Sequence, residues 1–232
     1  MKTALLAIFF MAVLSSCKMM SGNGNVKKET RNPGTFTKIH SSGTADVVIT
    51  SGSNCAVTVE DDDNLLPYLE TNVENGTLQI HYKDGVSVTN DHAKIYVTAP
   101  TLSEVVTSGT SNITVGGLLQ NPDKISFKTS GVGNIEGEVN APAISVSISG
   151  AGTVKLHGHT KDFDCELSGV GHADCGNLES ENTTVRVSGV GDAHVFASVH
   201  LNATVSGTGS VHYRGNPQNP EIDTSGVGSI TP

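Results

Sequence analysis

The chain has 232 residues, with 23 acidic against 14 basic side chains for a net charge of −9, an aromatic content of 4 %, a hydrophobic fraction of 36 %, 26 glycines and no tryptophan. An acidic balance of this kind excludes a nucleic-acid role, which needs a basic footprint. Many glycines and few aromatics point to an all-β chain with a thin core.

The chain opens as a targeting segment. Lys2 precedes an apolar run from Ala4 to Leu14, and Leu14-Ser15-Ser16-Cys17 resembles the bacterial lipobox. Residues 1–16 are therefore expected to be a lipoprotein signal peptide and Cys17 the site of lipidation, so that the partner at this end is a membrane. Residues 17–33 are polar and rich in Gly and Asn, and read as a flexible tether. From residue 34 to 232 a single domain is expected. Its first part, to residue 106, is irregular. Alternating apolar residues at Val47 and Ile49, Val57 and Val59, Leu78, Ile80 and Tyr82, and Ile95 and Val97 predict strands. Asn75-Gly76 predicts a turn. The stretch from Asp62 to Leu69 predicts a short helical turn whose acidic residues cap it; the run Glu60 to Asp63 lacks the ligand spacing of a calcium loop.

From residue 107 the sequence repeats. Ser-Gly-small-Gly begins at Ser130, Ser149, Ser168, Ser188, Ser206 and Ser225, with degenerate copies at Ser108 and Ser42. From Ser108 onward the intervals are 22, 19, 19, 20, 18 and 19 residues, and a period near 20 marks a stacked architecture in which each repeat is one unit. Aligned on the serine, apolar residues fall into columns. Phe127, Val146, Cys165 and Val185 stand three before it; Ile135, Val154, Ala173 and Ala193 stand five after. Spacing by two is strand periodicity, so each repeat supplies an inward-facing arm on either side of a turn. The turn glycines are expected to provide positive φ. They are Gly131 and Gly133, Gly150 and Gly152, Gly169 and Gly171, Gly189 and Gly191, Gly207 and Gly209, and Gly226 and Gly228. Two architectures fit, a parallel β-solenoid and an array of antiparallel hairpins; even spacing and same-residue columns favour the solenoid.

Candidate chemistry is sparse. Cys165 and Cys175 are symmetric about Val170 and both face inward, either as a disulfide or as two buried thiols. Asp174, His194 and His212 occupy one outward column, and His172 and Asp192 another; a ladder of polar residues is also what any solenoid surface displays, so no metal or cofactor is assigned. His157 and His159 are expected in a solvated loop. No nucleophile elbow, phosphate loop or HExxH is present, and no catalytic residue is assigned.

The run from Val205 to Pro217, followed by Ser225 to Ile230, resembles the closing signature of the head GIN domain family of auto-transporter adhesin-like envelope proteins of the Bacteroidetes type. The acidic stretch before Asn64-Leu65-Leu66-Pro67, the strand from Asn75 to Ile80 and the segment from Ile95 to Pro100 match it as well. The resemblance covers residues 34–232 and implies a β-helix-like domain on an exported lipoprotein, held in the outer membrane on either its periplasmic or its surface side. It carries over no catalytic residues. The expected function is a non-enzymatic scaffold whose repeat face binds a protein or a glycan; the alternative is a carbohydrate-active β-helix enzyme.

Overall fold

A computed structural model describes residues 18–232; residues 1–17, on which the expected signal peptide and the expected lipidation of Cys17 fall, lie outside the described residues. Among them are twenty strands and no helix. The N-terminal strands are β1 (Lys18–Ser21), β2 (Val26–Arg31), β3 (Lys38–Ser41), β4 (Asp46–Ser51), β5 (Ala56–Asp62), β6 (Leu69–Glu74), β7 (Thr77–Tyr82), β8 (Val86–Thr89) and β9 (Lys94–Ala99). The repeat region supplies β10 (Glu104–Thr107), β11 (Ile113–Gln120), β12 (Lys124–Thr129), β13 (Ile135–Ile148), β14 (Thr153–Leu167), β15 (His172–Val187), β16 (Asp192–Phe196), β17 (His200–Val205), β18 (Ser210–Arg214), β19 (Glu221–Thr224) and β20 (Ser229–Thr231).

These strands stack as the coils of a solenoid of about six turns. The arms before each Ser-Gly turn form one ladder: Leu78, Ile39, Val105, Phe127, Val146, Cys165, Val185 and Ala203 are successive in-register partners, all paired in parallel. The arms after the turn form a second, through Ile95, Val47, Ile113, Ile135, Val154, Ala173, Ala193 and Val211. Every residue in both columns is buried. Each such Val or Ile removed from water stabilises the fold by about 1.5–3 kcal/mol. In β13, β14 and β15 one continuous strand serves both ladders, its first half after one turn and its second half before the next.

The turn glycines do not have positive φ. Among the Ser-Gly repeats only Gly43, in the degenerate copy at Ser42, does. What these positions lack is room. A Cβ on Gly169 would be driven into the carbonyl oxygen of Gly150, and one on Gly189 into that of Gly169. Backbone ladders hold the coils at that separation: Val170 N–H donates to Gly150 O at 3.1 Å, and Val190 N–H to Gly169 O at 3.0 Å. Glycine is required by close approach of stacked backbones, with the residue between the glycines turned outward; Val132, Val170 and Val190 are about 60 % exposed.

The expected tether is structured. Residues 18–31 contain β1, which pairs in parallel with β8, and β2, which adds antiparallel to the edge of β5. The reason lies in the acidic run, which does not cap a helix. Asp61 and Asp62 are fully buried. Asp62 accepts the backbone N–H of Gly24 at 2.5 Å and faces His92 Nδ1 at 2.9 Å, while Asp61 accepts the hydroxyl of Tyr82 at 2.7 Å. Asp63 takes the amides of Asn23 and Asn25 at 2.7 Å and pairs with Lys27 at 2.9 Å; Lys28 pairs with Glu60 at 3.1 Å. The Gly/Asn composition that reads as flexible instead supplies donors to buried Asp62 and half-buried Asp63. Residues 63–68 form successive turns, with Leu65 and Leu66 N–H both donating to the carbonyl of Asp62.

Cys165 and Cys175 are free thiols. Cys165 packs between Val146 and Val185 on the first ladder, whereas Cys175 lies in the arm after the turn. Burial holds the Cys165 thiol well above its ordinary pKa and pushes Cys175 up to about 12, so both are protonated core residues.

Candidate binding face

The outward side chains of β13 to β18 line two adjoining hollows in the repeat surface. In β14 and β15 the register slips after Lys155 and Asp174: Lys155 faces Asp174, but the next outward pair is His157 and Asn177, so β15 carries one extra residue. A bulge re-aims side chains locally. Here the extra length falls at Gly176, whose lack of a side chain leaves the surface dented. Arg214 reaches into that dent from β18, two coils away; its Nη2 donates to Gly176 O and, at 2.5 Å, to Asn177 Oδ1.

On one side of Arg214 lies an open furrow of about 620 Å³, lined by Glu138, His157, His159, Asn177, Glu179 and Phe196. On the other side lies a hollow of about 380 Å³, with Asp174, His194, His212 and Tyr213 in its wall. Arg214, Gly176 and Asn177 belong to both, so the two form one surface. His159 Nδ1 is 3.3 Å from Glu179, and Phe196 is half-buried.

The predicted polar columns are in register. Asp174 faces His194, which faces His212; His172 faces Asp192. The imidazoles of His172, His194 and His212 pack in a row, the first pair edge-to-face and the second tilted, with ring centroids 5.2 and 5.0 Å apart. Burial, then the neighbouring His172 and His212, lower the pKa of His194, which favours a neutral ring. Among the described residues no three His, Cys, Asp or Glu side chains are placed to hold a metal ion. Asp192 has a structural bond instead, accepting the backbone N–H of Ser210 at 3.0 Å. His157 and His159, expected in a loop, stand within β14 and line the furrow. Two turn serines donate their hydroxyls to the preceding coil, Ser149 to Thr129 O at 3.5 Å and Ser188 to Leu167 O at 3.3 Å.

Sequence reasoning missed Arg214, Asn177, Glu179 and Phe196. The signal available for Arg214 was positional: it is the outward residue two beyond His212 in the last full repeat, in a chain with only three arginines. The bulge that brings Gly176 and Asn177 beneath it has no sequence signal beyond the 20-residue interval from Ser168 to Ser188.

Residues 35–217 match the family model described as "Putative auto-transporter adhesin, head GIN domain". No curated protein matches. Among solved structures, the chain is similar to a "putative adhesin" from Bacteroides fragilis NCTC 9343, at 24 % identity and a TM-score of 0.87, covering 91 % of this chain and 99 % of that one. It is also similar to a "putative lipid binding protein" from Parabacteroides distasonis ATCC 8503, at 22 % identity, TM-score 0.76, 92 % of this chain and 99 % of that one. A "putative adhesin" from Parabacteroides merdae ATCC 43184 aligns at 20 % identity and TM-score 0.70, again over 92 % and 99 %. At these identities the likeness is one of fold.

Proposed function

The chain belongs to the head GIN domain family, and from that premise we propose that it is a non-enzymatic binding scaffold of the cell envelope, held by a lipid on Cys17 and engaging a protein or glycan through the face around Arg214. The observation that carries this reading is the furrow itself. It gathers Arg214, Asn177, His157, His159, Glu138 and Glu179 on outward positions where the stacked core needs none of them. An open polar surface spread over several coils suits a broad ligand held by many weak contacts.

The carboxylates speak against the enzymatic alternative. Glu138 aligns through His157 with Asn177, so Glu179 is offset from it by two coils and two residues. At ordinary strand spacing and rise that is about 12 Å between backbones, and Glu179 has His159 Nδ1 as its neighbour at 3.3 Å, so the two carboxylates are not an in-register facing pair.

The anchoring part of the proposal places the lipid one residue before β1, so the domain would stand directly on the membrane with its N-terminal strands nearest the lipid. Incorporation of a fatty-acid analogue, lost in Cys17→Ala, tests that part. For the binding part, the purified domain is applied to arrays of glycans and envelope proteins beside Asn177→Trp, which fills the furrow. Ligands retained by the wild type and lost by the variant support the reading. Ligands bound equally by both, or turnover of an arrayed polysaccharide, would overturn it.

A further inference from the structure

Arg214 differs from the other two arginines in what it touches. Arg31 lies 3.2 Å from Glu29 and donates to the carbonyls of Leu66 and Leu69, and Arg186 reaches Asp164 at 3.5 Å. Arg214 has no carboxylate partner among the described residues. Its hydrogen bonds go to two neutral acceptors, both from Nη2, which leaves the Nε hydrogen and both Nη1 hydrogens without a protein acceptor. The guanidinium is thus held in place by one nitrogen, against the backbone of Gly176, in the wall of both hollows.

We propose that this face binds an acidic oligosaccharide, with Arg214 taking the carboxylate of one sugar. The proposal rests on the reading of the furrow as a binding surface and names its ligand class. Three features converge on it. A fixed guanidinium with free donors is the group best matched to a carboxylate. Phe196 offers a partly buried apolar ring in the same furrow, a surface for the C–H face of a pyranose. Asn177, His157 and His159 supply mixed donors and acceptors for hydroxyls. Glu138 and Glu179, which line the same furrow, set the upper limit on charge: they repel a densely sulfated or phosphorylated chain, and leave a sugar with one carboxylate among hydroxyls as the ligand whose charge fits.

Isothermal titration with sialyllactose and with an aldobiouronic acid, each carrying a single carboxylate, tests this, each beside its methyl ester and its neutral parent, with inorganic phosphate and a sulfated oligosaccharide as further arms. An acidic sugar should bind, with about ten-fold loss on esterification and a similar loss in Arg214→Gln, as expected when one charge-assisted hydrogen-bonded pair is removed. Glu179→Gln should tighten the same ligand, a change that a merely structural role for the furrow would not produce. Equal binding of acid and ester, unchanged binding by Arg214→Gln, tighter binding of phosphate or the sulfated chain, or no binding of either acidic sugar at millimolar concentration overturns the inference. The binding-face reading survives any of these if another ligand is lost in Asn177→Trp, and falls only if none is.

Discussion

Replacing Gly169 by alanine separates the two reasons a turn can need glycine. Its φ is not in the left-handed region, so alanine there pays no conformational penalty and by chain entropy alone would stabilise by about 0.4–1 kcal/mol. The added Cβ, however, meets Gly150 O, in a turn pinned on both sides by Ser168 N–H to Ile148 O at 2.9 Å and Val170 N–H to Gly150 O at 3.1 Å. Relief requires spreading the coils. That loses two ladder bonds of about 1 kcal/mol each and adds overpacking of about 1–3 kcal/mol. The net is a destabilisation of about 3 kcal/mol, or about 6–12 °C in Tm for a domain of this size. The matched control is Gly116→Ala. Gly116 also lacks a positive φ, but its nearest neighbours to a Cβ are Thr50 Cγ2 at 3.5 Å and Ile49 O at 3.6 Å, ordinary contacts. Thermal and urea unfolding of the two variants should differ by most of the computed cost. Equal melting temperatures would refute the close-approach account of the repeat.

Thr107 carries a buried hydroxyl with no hydrogen-bond partner, so Thr107→Val should raise stability by about 1 kcal/mol in urea unfolding; a loss would show that the hydroxyl is satisfied. Deleting residues 18–31 uncovers the edge of β5 and takes Gly24 from buried Asp62, so the truncated domain should melt far lower and self-associate on a sizing column, where a flexible tether would have left both unchanged. Two histidines should bend the pH profile in opposite senses. His92 is raised by its hydrogen bond to Asp62, so its contribution is complete below about pH 6.5 and is lost as pH rises through the folded value. His194 is lowered, by burial and then by His172 and His212, against the raising effect of Asp174 and Asp192; its contribution is complete above about pH 6.5 and is lost as pH falls toward the folded value. Between pH 5 and 8, His92→Gln should make the slope of Tm against pH more positive and His194→Gln more negative; a slope that moves the other way in either variant would contradict that histidine's assignment.

The repeat half of the fold was legible because the same physics acts at every coil. Val146, Cys165 and Val185 are neighbours in space because each stands three residues before a serine, and a parallel stack converts equal offset into contact. The N-terminal half was not, because there chain order and spatial order part. β7 and β9 precede β3 and β4 in the stack although they follow them in the chain, and β5 enters antiparallel to β9. No periodicity survives such a rearrangement. The glycines were correctly located and wrongly explained: a one-dimensional pattern cannot distinguish a residue that needs unusual φ from one that needs an empty side chain, since both read as Gly. Residues 18–31 were misread for a related reason. Gly24, Asn23 and Asn25 look like linker until buried Asp62 and half-buried Asp63 are known to face them.

The candidate face was legible only where it follows the repeat. Asp174, His194 and His212 could be placed in one column because outward residues obey the same offset rule as core residues. The groups on which the binding proposal turns do not. Gly176 and Asn177 occupy their positions because β15 carries one residue more than β14, and Arg214 is held by that irregularity rather than by its place in a column. A solenoid commits its periodic residues to stacking: inward ones fill the core and turn glycines admit the next coil. Departures from the period are then the places where side chains are free to meet something other than the neighbouring coil. That is why a one-residue slip between β14 and β15, and the arginine that leans across it, mark the proposed ligand site more sharply than the histidine ladder beside them.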